Sequence, residues 1–269
     1  MPAPESSYTL FNDPEDIATK AAMLIALVGL GPLEPLPAAS GEAGPWRTVF
    51  GPAMLSKAAG TLDSMMVLMP TRRSVDAMTL LRTLFENAVV MSWLAIDPRV
   101  RLEMFYRTSY YYELEEHKDW KKAGRGLRTQ EEAAELKKRS GIRPERLPGV
   151  PTMAANADEH WGTLIPGWSP SSAADHPGVF SSLRGLYRYI FHRGSSAAHS
   201  RARGLDPFAT FDESGARWHP EAPGSDLHVY ELGLHCLAFA IMASEQTLGW
   251  PSWRQAARIL GREEDVFGT

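Results

Sequence analysis

The sequence predicts an all-α protein, a bundle of about six or seven helices with a long irregular insertion. Two helix starts combine an N-cap aspartate with a proline in the first turn, Asp13-Pro14 and Asp97-Pro98. A third start, Thr129-Gln130-Glu131-Glu132, is a capping box. Between such starts apolar residues recur at helical spacing, so most of the chain is expected to be helical.

Three long helices are expected in the first part of the chain. The first runs from residue 13 to about residue 29 or 31, and a Pro/Gly-rich loop follows over residues 31–45. The second covers residues 46–69 and ends at a proline. The third, over residues 75–96, is apolar nearly all round in its second half, which predicts a central, buried helix. Its core residues are expected to be Met78, Leu81, Leu84, Phe85, Ala88, Val89 and Trp93.

The middle of the chain changes character. A fourth helix is expected over residues 97–120, and a short, highly charged helix over residues 129–139. Prolines and glycines then recur, so residues 140–175 are expected to form an irregular loop excursion. We interpret the whole chain, residues 1–269, as a single helical domain that contains this excursion.

The last third returns to helical patterns. Residues 179–191 are strongly amphipathic, and a small hairpin is expected within residues 206–224, around Asp212-Glu213-Ser214-Gly215. A long helix follows over residues 227–248, and Pro251 begins a short terminal one.

Composition excludes several classes of protein. The chain is 44% hydrophobic and 22% charged, which is ordinary for a globular protein and excludes wholesale disorder. A net charge of −4 argues against indiscriminate nucleic-acid binding over the whole surface. Two stretches are nevertheless cationic: residues 118–146 contain ten Lys/Arg against five Asp/Glu, and residues 176–205 contain five arginines and no acid. A localised anionic ligand is therefore compatible with the mildly acidic total.

The single cysteine and the N-terminal residues bear on the expected compartment. One cysteine, Cys236, excludes an internal disulfide framework and a Cys-cluster zinc site, and its apolar neighbours predict a buried core thiol. The N-terminus has no basic n-region, and its first apolar run, residues 23–30, is shorter than the roughly 20 residues of a spanning helix. We expect a cytoplasmic protein with no membrane segment.

Arg82 and Glu86 form the first candidate constellation. Their i, i+4 spacing places them on one helical face, where an ion pair is natural. Their neighbours are apolar, so these charges require partners. Two interpretations stay open: a structural clamp that holds another helix, or support of an active site.

The second candidate is the segment from His192 to Arg203. On a helical wheel, Leu183, Leu186 and Ile190 share the core face. A polar stripe lies on the other side, formed by Arg184, Arg188, His192, Ser195, His199 and Arg203. Gly194 and Ser195 could instead end one helix and cap the next, which would re-aim His199. The stripe is either a solvated cationic face or a functional surface with a histidine that titrates near neutral pH.

Two residues of this segment carry a resemblance. Arg193-x5-His199 resembles the R-x(4–6)-H signature of HEPN (higher eukaryotes and prokaryotes nucleotide-binding) proteins. Arg82-x3-Glu86, with Tyr187-Arg188-Tyr189 and Ser195-x3-His199 after it, is also similar to an uncharacterised bacterial all-helical family. HEPN proteins are helical bundles, often dimeric. Many are metal-independent endoribonucleases in toxin, phage-defence or RNA-processing systems.

The resemblance implies a function and a site. It implies an RNA-binding homodimer, with RNA or another anionic ligand as partner, no cofactor and an endoribonuclease activity. Arg193 and His199 would be catalytic, the histidine as acid or base and the arginine at the phosphate. Supporting residues would be Arg82, Glu86, Tyr189, His192, Ser195 and Ser196. On one straight helix Arg193 and His199 diverge by about 120°, so a dimer or a helix break would have to bring them together.

Two further interpretations compete with this one. The chain fits equally a non-catalytic helical interaction or regulatory module, with the polar stripe as its dimer or partner interface. In addition, His228, Glu231 and His235 share one face of the last long helix, and two histidines with a carboxylate can bind a metal. The E-x-x-H spacing of di-iron bundles is absent around Glu113 and His117, however. We therefore expect surface or cap positions for these residues and assign no metal.

Overall fold

The computed structural model describes residues 13–31, 50–125, 128–140, 147–164, 182–198, 209–212, 215–218, 226–248, 250 and 252–261. In this part of the chain nine α-helices and one two-stranded hairpin are present, so the all-α class is confirmed and the helices outnumber the predicted six or seven. In chain order they are α1 (Pro14–Leu30), α2 (Gly51–Leu68), α3 (Ser74–Ile96), α4 (Pro98–Lys122), α5 (Gln130–Ser140), α6 (Val150–Leu164), α7 (Leu183–Ala198), β1 (Ala209–Asp212), β2 (Gly215–Trp218), α8 (Leu227–Leu248) and α9 (Trp253–Ile259).

The residues group into two compact units by their contacts, and the single domain over residues 1–269 stays a prediction. The first unit comprises Met1–Ile96 and Val150–Thr269, and the second comprises Asp97–Gly149. In the first unit α3 is central, because α2, α6, α7 and α8 all pack against it. All seven apolar residues that the sequence assigns to the core face of α3 are buried, which confirms the buried central helix.

Helix ends are formed by the residues that the sequence indicates. The Asp13 side chain accepts a hydrogen bond from the backbone N–H of Glu15 at 2.9 Å, and that of Asp97 from Val100 at 3.2 Å. The capping box is also present: the Glu132 carboxylate accepts from the Thr129 N–H at 2.7 Å, and the Thr129 hydroxyl accepts from the Glu132 N–H at 3.2 Å.

The predicted irregular excursion over residues 140–175 is wrong for its middle part, which is helix α6. Pro151 lies in the first turn of α6, where a missing N–H breaks no helical hydrogen bond. The prolines of residues 140–175 are interpreted from the sequence as loop residues, whereas Pro151 marks the start of a helix. Met153, Ala154, Ala157 and Trp161 bury one face of α6, and residues 165–175 lie outside the described residues.

The second unit pairs α4 with α5. Leu102, Leu114 and Leu136 are buried, and the Arg139 guanidinium carbon lies 5.6 Å from the centre of the Tyr110 ring. Among its described residues, five basic side chains form ion pairs with exposed or half-buried carboxylates: Arg107–Glu103, Lys118–Glu115, Lys122–Asp119, Arg128–Glu113 and Arg139–Glu135. Pairing of this kind is typical of a solvated helical surface.

Within the described ranges, two helices are long and apolar enough to cross a membrane by length and composition alone. They are Ser74–Ile96, with a mean hydropathy of 1.2, and Leu227–Glu245, with 1.3. Their most apolar windows are 61% and 89% buried inside the fold. Core helices of globular proteins satisfy the same two criteria.

Candidate functional site

Helix α7 carries most of the predicted site residues, and it is continuous from Leu183 to Ala198. The alternative of a helix end at Gly194 is therefore wrong. Leu183 and Ile190 are fully buried and Leu186 nearly so, whereas Arg184 and Arg188 are exposed. The amphipathic pattern of this helix is confirmed.

Gly194 brings the backbone of α7 into direct contact with α3. A Cβ atom at this position would lie 2.8 Å from Cβ of Arg82 and 3.2 Å from the carbonyl oxygen of Met78. The first distance is shorter than carbon atoms tolerate, so glycine is required for this close approach of the two helices. The approach places α7 beside Arg82 and Glu86.

Arg82 and Glu86 form the ion pair that their spacing predicts. Nε of Arg82 donates to Oε1 of Glu86 at 3.0 Å, and the guanidinium carbon lies 4.3 Å from the centre of the Phe191 ring. The Arg82 side chain is 22% exposed and that of Glu86 is 36% exposed. The pair thus holds α7 through Phe191 and Gly194, as the clamp interpretation requires, and it also reaches solvent, as a binding role requires.

The structure places the other predicted site residues only in part. His192, Arg193, Ser195 and Ser196 lie on the C-terminal half of α7, and their side chains are outside the described part of the structure. His199 follows Ala198 and lies outside the described residues. The pairing of Arg193 with His199 stays a prediction.

Tyr189 on α7 contacts a second cluster of polar residues, which lies on α8. Its ring meets that of His228 edge-on at 5.4 Å between centroids. Nδ1 of His228 donates to Oε2 of Glu231 at 3.1 Å, and Nε2 of His235 lies 4.0 Å from Oε1 of the same carboxylate. Glu231 and His235 are each only 3% exposed, so the expected surface or cap positions are wrong for these two residues.

The charge of Glu231 is stabilised by its two histidine neighbours. Burial alone would raise the pKa of this carboxyl group, but the contacts with His228 and His235 outweigh burial and lower the pKa to about 2. Among the described residues, no three His, Cys, Asp or Glu side chains converge in an arrangement that could hold a metal ion. Glu231, His228 and His235 thus form an ionic cluster.

Comparison with protein families gives a match over residues 52–216. This stretch, more than half of the 269 residues, matches the model of a family of unknown function, DUF5677. The chain belongs to DUF5677. The matched stretch of this DUF5677 chain contains α3 and α7, and therefore Arg82, Glu86 and Gly194, whereas the cluster around Glu231 lies beyond it. No curated protein and no solved structure matches the chain. Membership of DUF5677 agrees with the resemblance to an uncharacterised helical family.

Asp158 is a site residue that sequence reasoning missed, and it lies within the DUF5677 match. Its two carboxylate oxygens accept the backbone N–H groups of Leu183 at 2.8 Å and Arg184 at 3.0 Å, at the N-terminus of α7. Burial raises the pKa of Asp158 to about 6, although these hydrogen bonds act in the opposite direction. One signal was available: Asp158 follows Ala154 by four residues on the apolar face of α6.

The ionic cluster of this DUF5677 chain predicts a pH dependence of stability. Because the pKa of Glu231 is about 2 in the folded state against an ordinary 4.5, its stabilising effect is complete above about pH 4.5 and disappears as pH falls towards 2. The difference corresponds to about 3 kcal/mol of unfolding free energy. Urea unfolding at a series of pH values between 2.5 and 5.5 should show this loss in the wild type and not in Glu231→Gln. Glu159→Gln, which changes an exposed carboxylate on α6, is the control and should keep the wild-type dependence.

Proposed function

We propose that this DUF5677 chain is a HEPN-like RNA-binding protein and acts as a metal-independent endoribonuclease in the form of a homodimer. The observation that carries the proposal is the contact of Gly194 with Arg82. It brings the end of α7 that bears Arg193 against a partly exposed arginine–carboxylate pair. The surrounding sequence, residues 176–205, contains five arginines and no acid, which favours an anionic ligand.

His199 and Arg193 would divide the chemistry of strand cleavage. The histidine takes the proton of a ribose 2′-hydroxyl, whose oxygen attacks the adjacent phosphorus, or returns a proton to the departing 5′-oxygen. The new 2′-O–P bond replaces the P–O5′ bond, so the products are a 2′,3′-cyclic phosphate and a free 5′-hydroxyl. The arginine stabilises the negative charge that grows on the phosphate oxygens.

The continuity of α7 favours a dimer for this reaction. On a straight helix the two side chains diverge by about 120°, and a helix break that re-aims His199 would have to lie after Ala198. A two-fold homodimer whose axis lies beside this end of α7 would pair Arg193 of one protomer with His199 of the other without any break.

Cleavage of RNA in EDTA tests the proposal. Purified wild type, His199→Ala and Arg193→Ala are incubated with mixed RNA, with Arg73→Ala as a control at an exposed arginine immediately before α3. We expect the rate to fall by about 100-fold or more in the first two variants, since a general acid or base contributes about 10²–10⁴-fold. The control should cleave at nearly the wild-type rate. An inactive wild type, or equal rates in all variants, would refute the nuclease.

One observation favours the alternative, a non-catalytic helical interaction module. Met23 and Leu30 on α1 are 50% and 73% exposed, and residues 21–30 of this helix carry no charge. Exposed apolar surface of this kind occurs at protein–protein interfaces. A dimeric wild type without activity towards RNA would favour this module over the nuclease.

A further inference from the structure

Arg82 has hydrogen-bond donors that no described residue engages. A guanidinium group carries five N–H donors, one on Nε and four on the two Nη atoms. The Nε donor is engaged by Glu86, whereas no hydrogen bond or ion pair within the described part of the chain involves either Nη atom. The side chain is 22% exposed, so it is partly desolvated and still reaches the surface.

The guanidinium group is also held in a fixed orientation. Glu86 fixes one edge through the 3.0 Å bond to Nε, and the Phe191 ring covers one face, with 4.3 Å between its centre and the guanidinium carbon. A Cβ at Gly194 would lie 2.8 Å from Cβ and 3.3 Å from Cδ of Arg82, so the close approach of α7 restricts the aliphatic part of the side chain. Because the orientation is set before any ligand arrives, little side-chain entropy is lost on binding.

Arg73, which lies immediately before the same helix, shows the contrast. It also pairs through Nε, with Asp76 at 2.6 Å, but both side chains are about half exposed, at 53% and 46%. An exposed pair of this kind exchanges readily with water and salt. Arg82 differs in being fixed by an aromatic ring and in lying beside the cationic segment that begins with α7.

We propose that Arg82 is a phosphate-binding residue, whose Nη donors take two oxygens of one phosphate group, and that Glu86 is the residue that positions it. A planar guanidinium matches two phosphate oxygens in a bidentate arrangement, which an ammonium group cannot reproduce. The identity of the phosphate as an RNA backbone phosphate rests on the proposed function. Phosphate binding by Arg82 does not depend on cleavage.

Binding to an RNA oligonucleotide with 2′-O-methyl groups tests this assignment, because such RNA lacks the nucleophile for cleavage. Fluorescence anisotropy in EDTA compares the wild type with Arg82→Lys and Arg82→Gln. A charge-assisted bidentate contact contributes about 1.5–3 kcal/mol, so Arg82→Gln should weaken binding by about 10–100-fold. Arg82→Lys keeps the charge and the stem and should weaken binding by about 10-fold. Arg73→Lys is the matched control and should bind as the wild type does.

Two further measurements separate binding from folding. Loss of one phosphate contact should reduce the slope of log affinity against log salt by about 0.7 in Arg82→Gln, a change that a purely structural role would not produce. Inorganic phosphate should raise the melting temperature of the wild type and of Glu86→Gln, which retains an acceptor for Nε. It should not raise that of Arg82→Lys to the same extent.

The outcomes distinguish this inference from the proposed function. If folded Arg82→Lys and Arg82→Gln bind RNA with wild-type affinity and salt slope, the inference is overturned and the nuclease is unaffected. If binding requires Arg82 but the wild type cleaves no RNA, phosphate binding stands and the nuclease fails. If the wild type binds neither the oligonucleotide nor inorganic phosphate, both are refuted.

Discussion

Gly194→Ala should lower the free energy of unfolding of the first unit by about 2 kcal/mol, with a larger loss for Gly194→Val. The added methyl group would lie 2.8 Å from Cβ of Arg82 and 3.2 Å from the backbone oxygen of Met78. Neither atom is the end of a flexible side chain, so the two helices must separate. This loss exceeds the gain of about 1 kcal/mol that alanine normally brings to a helix interior.

Comparison of Gly194→Ala with Gly60→Ala in urea unfolding separates the steric cost of the methyl group from the helix propensity of alanine. Gly60 is also inside a helix, α2, but a Cβ there would meet nothing within 4 Å. Gly60→Ala should therefore raise the free energy of unfolding by about 0.5–1 kcal/mol. If Gly194→Ala were as stable as Gly60→Ala, the close contact between α7 and α3 would be wrong.

Asp158→Ala should destabilise the protein by about 3 kcal/mol, because it leaves the N–H groups of Leu183 and Arg184 without acceptors at a buried helix end. Chemical unfolding at neutral pH measures the loss. Asp63→Ala is the control: it removes an exposed carboxylate from α2 and should change stability by less than about 0.5 kcal/mol. Equal stability of the two variants would contradict the role of Asp158 as the cap of α7.

The same carboxylate gives a pH dependence opposite in sign to that of Glu231. A pKa of about 6 in the folded state, against an ordinary 3.8, means that the folded protein binds the proton more tightly than the unfolded chain. The contribution of Asp158 to stability is therefore largest below about pH 4 and falls as pH rises to about 6. Asp158→Asn should flatten the pH dependence in this interval, and an unchanged profile would contradict the raised pKa.

Features that depend on neighbouring residues were predictable from the sequence. The caps at Asp13 and Asp97 and the capping box at Thr129 involve residues two or three positions apart. The Arg82–Glu86 pair and the buried face of α3 follow from helical spacing alone. These patterns sufficed for the fold class and for the Arg82–Glu86 pair, but not for the contacts of Arg82 with Phe191 and Gly194 on α7.

Features that depend on distant residues were not predictable. Asp158 and Leu183 are separated by 25 positions, and no local pattern indicates that one accepts a hydrogen bond from the other. The requirement for glycine at position 194 arises from α3, more than a hundred residues earlier in the chain. The polarity of Glu231 and His235 led to the expectation of surface positions, but both are buried. Their own ionic cluster, rather than solvent, offsets the cost of removing these polar groups from water.

Helix α7 is held near both of its ends by other helices of the first unit. Asp158 holds its first turn, and ten residues later Gly194 rests on α3, a separation of about 15 Å along the helix axis. With these two contacts in place, α7 can neither slide along its axis nor rotate relative to α3 and α6 unless one of the contacts breaks. The backbone of α7 therefore keeps a fixed position relative to Arg82, so a ligand that contacts both helices meets a surface that is already formed.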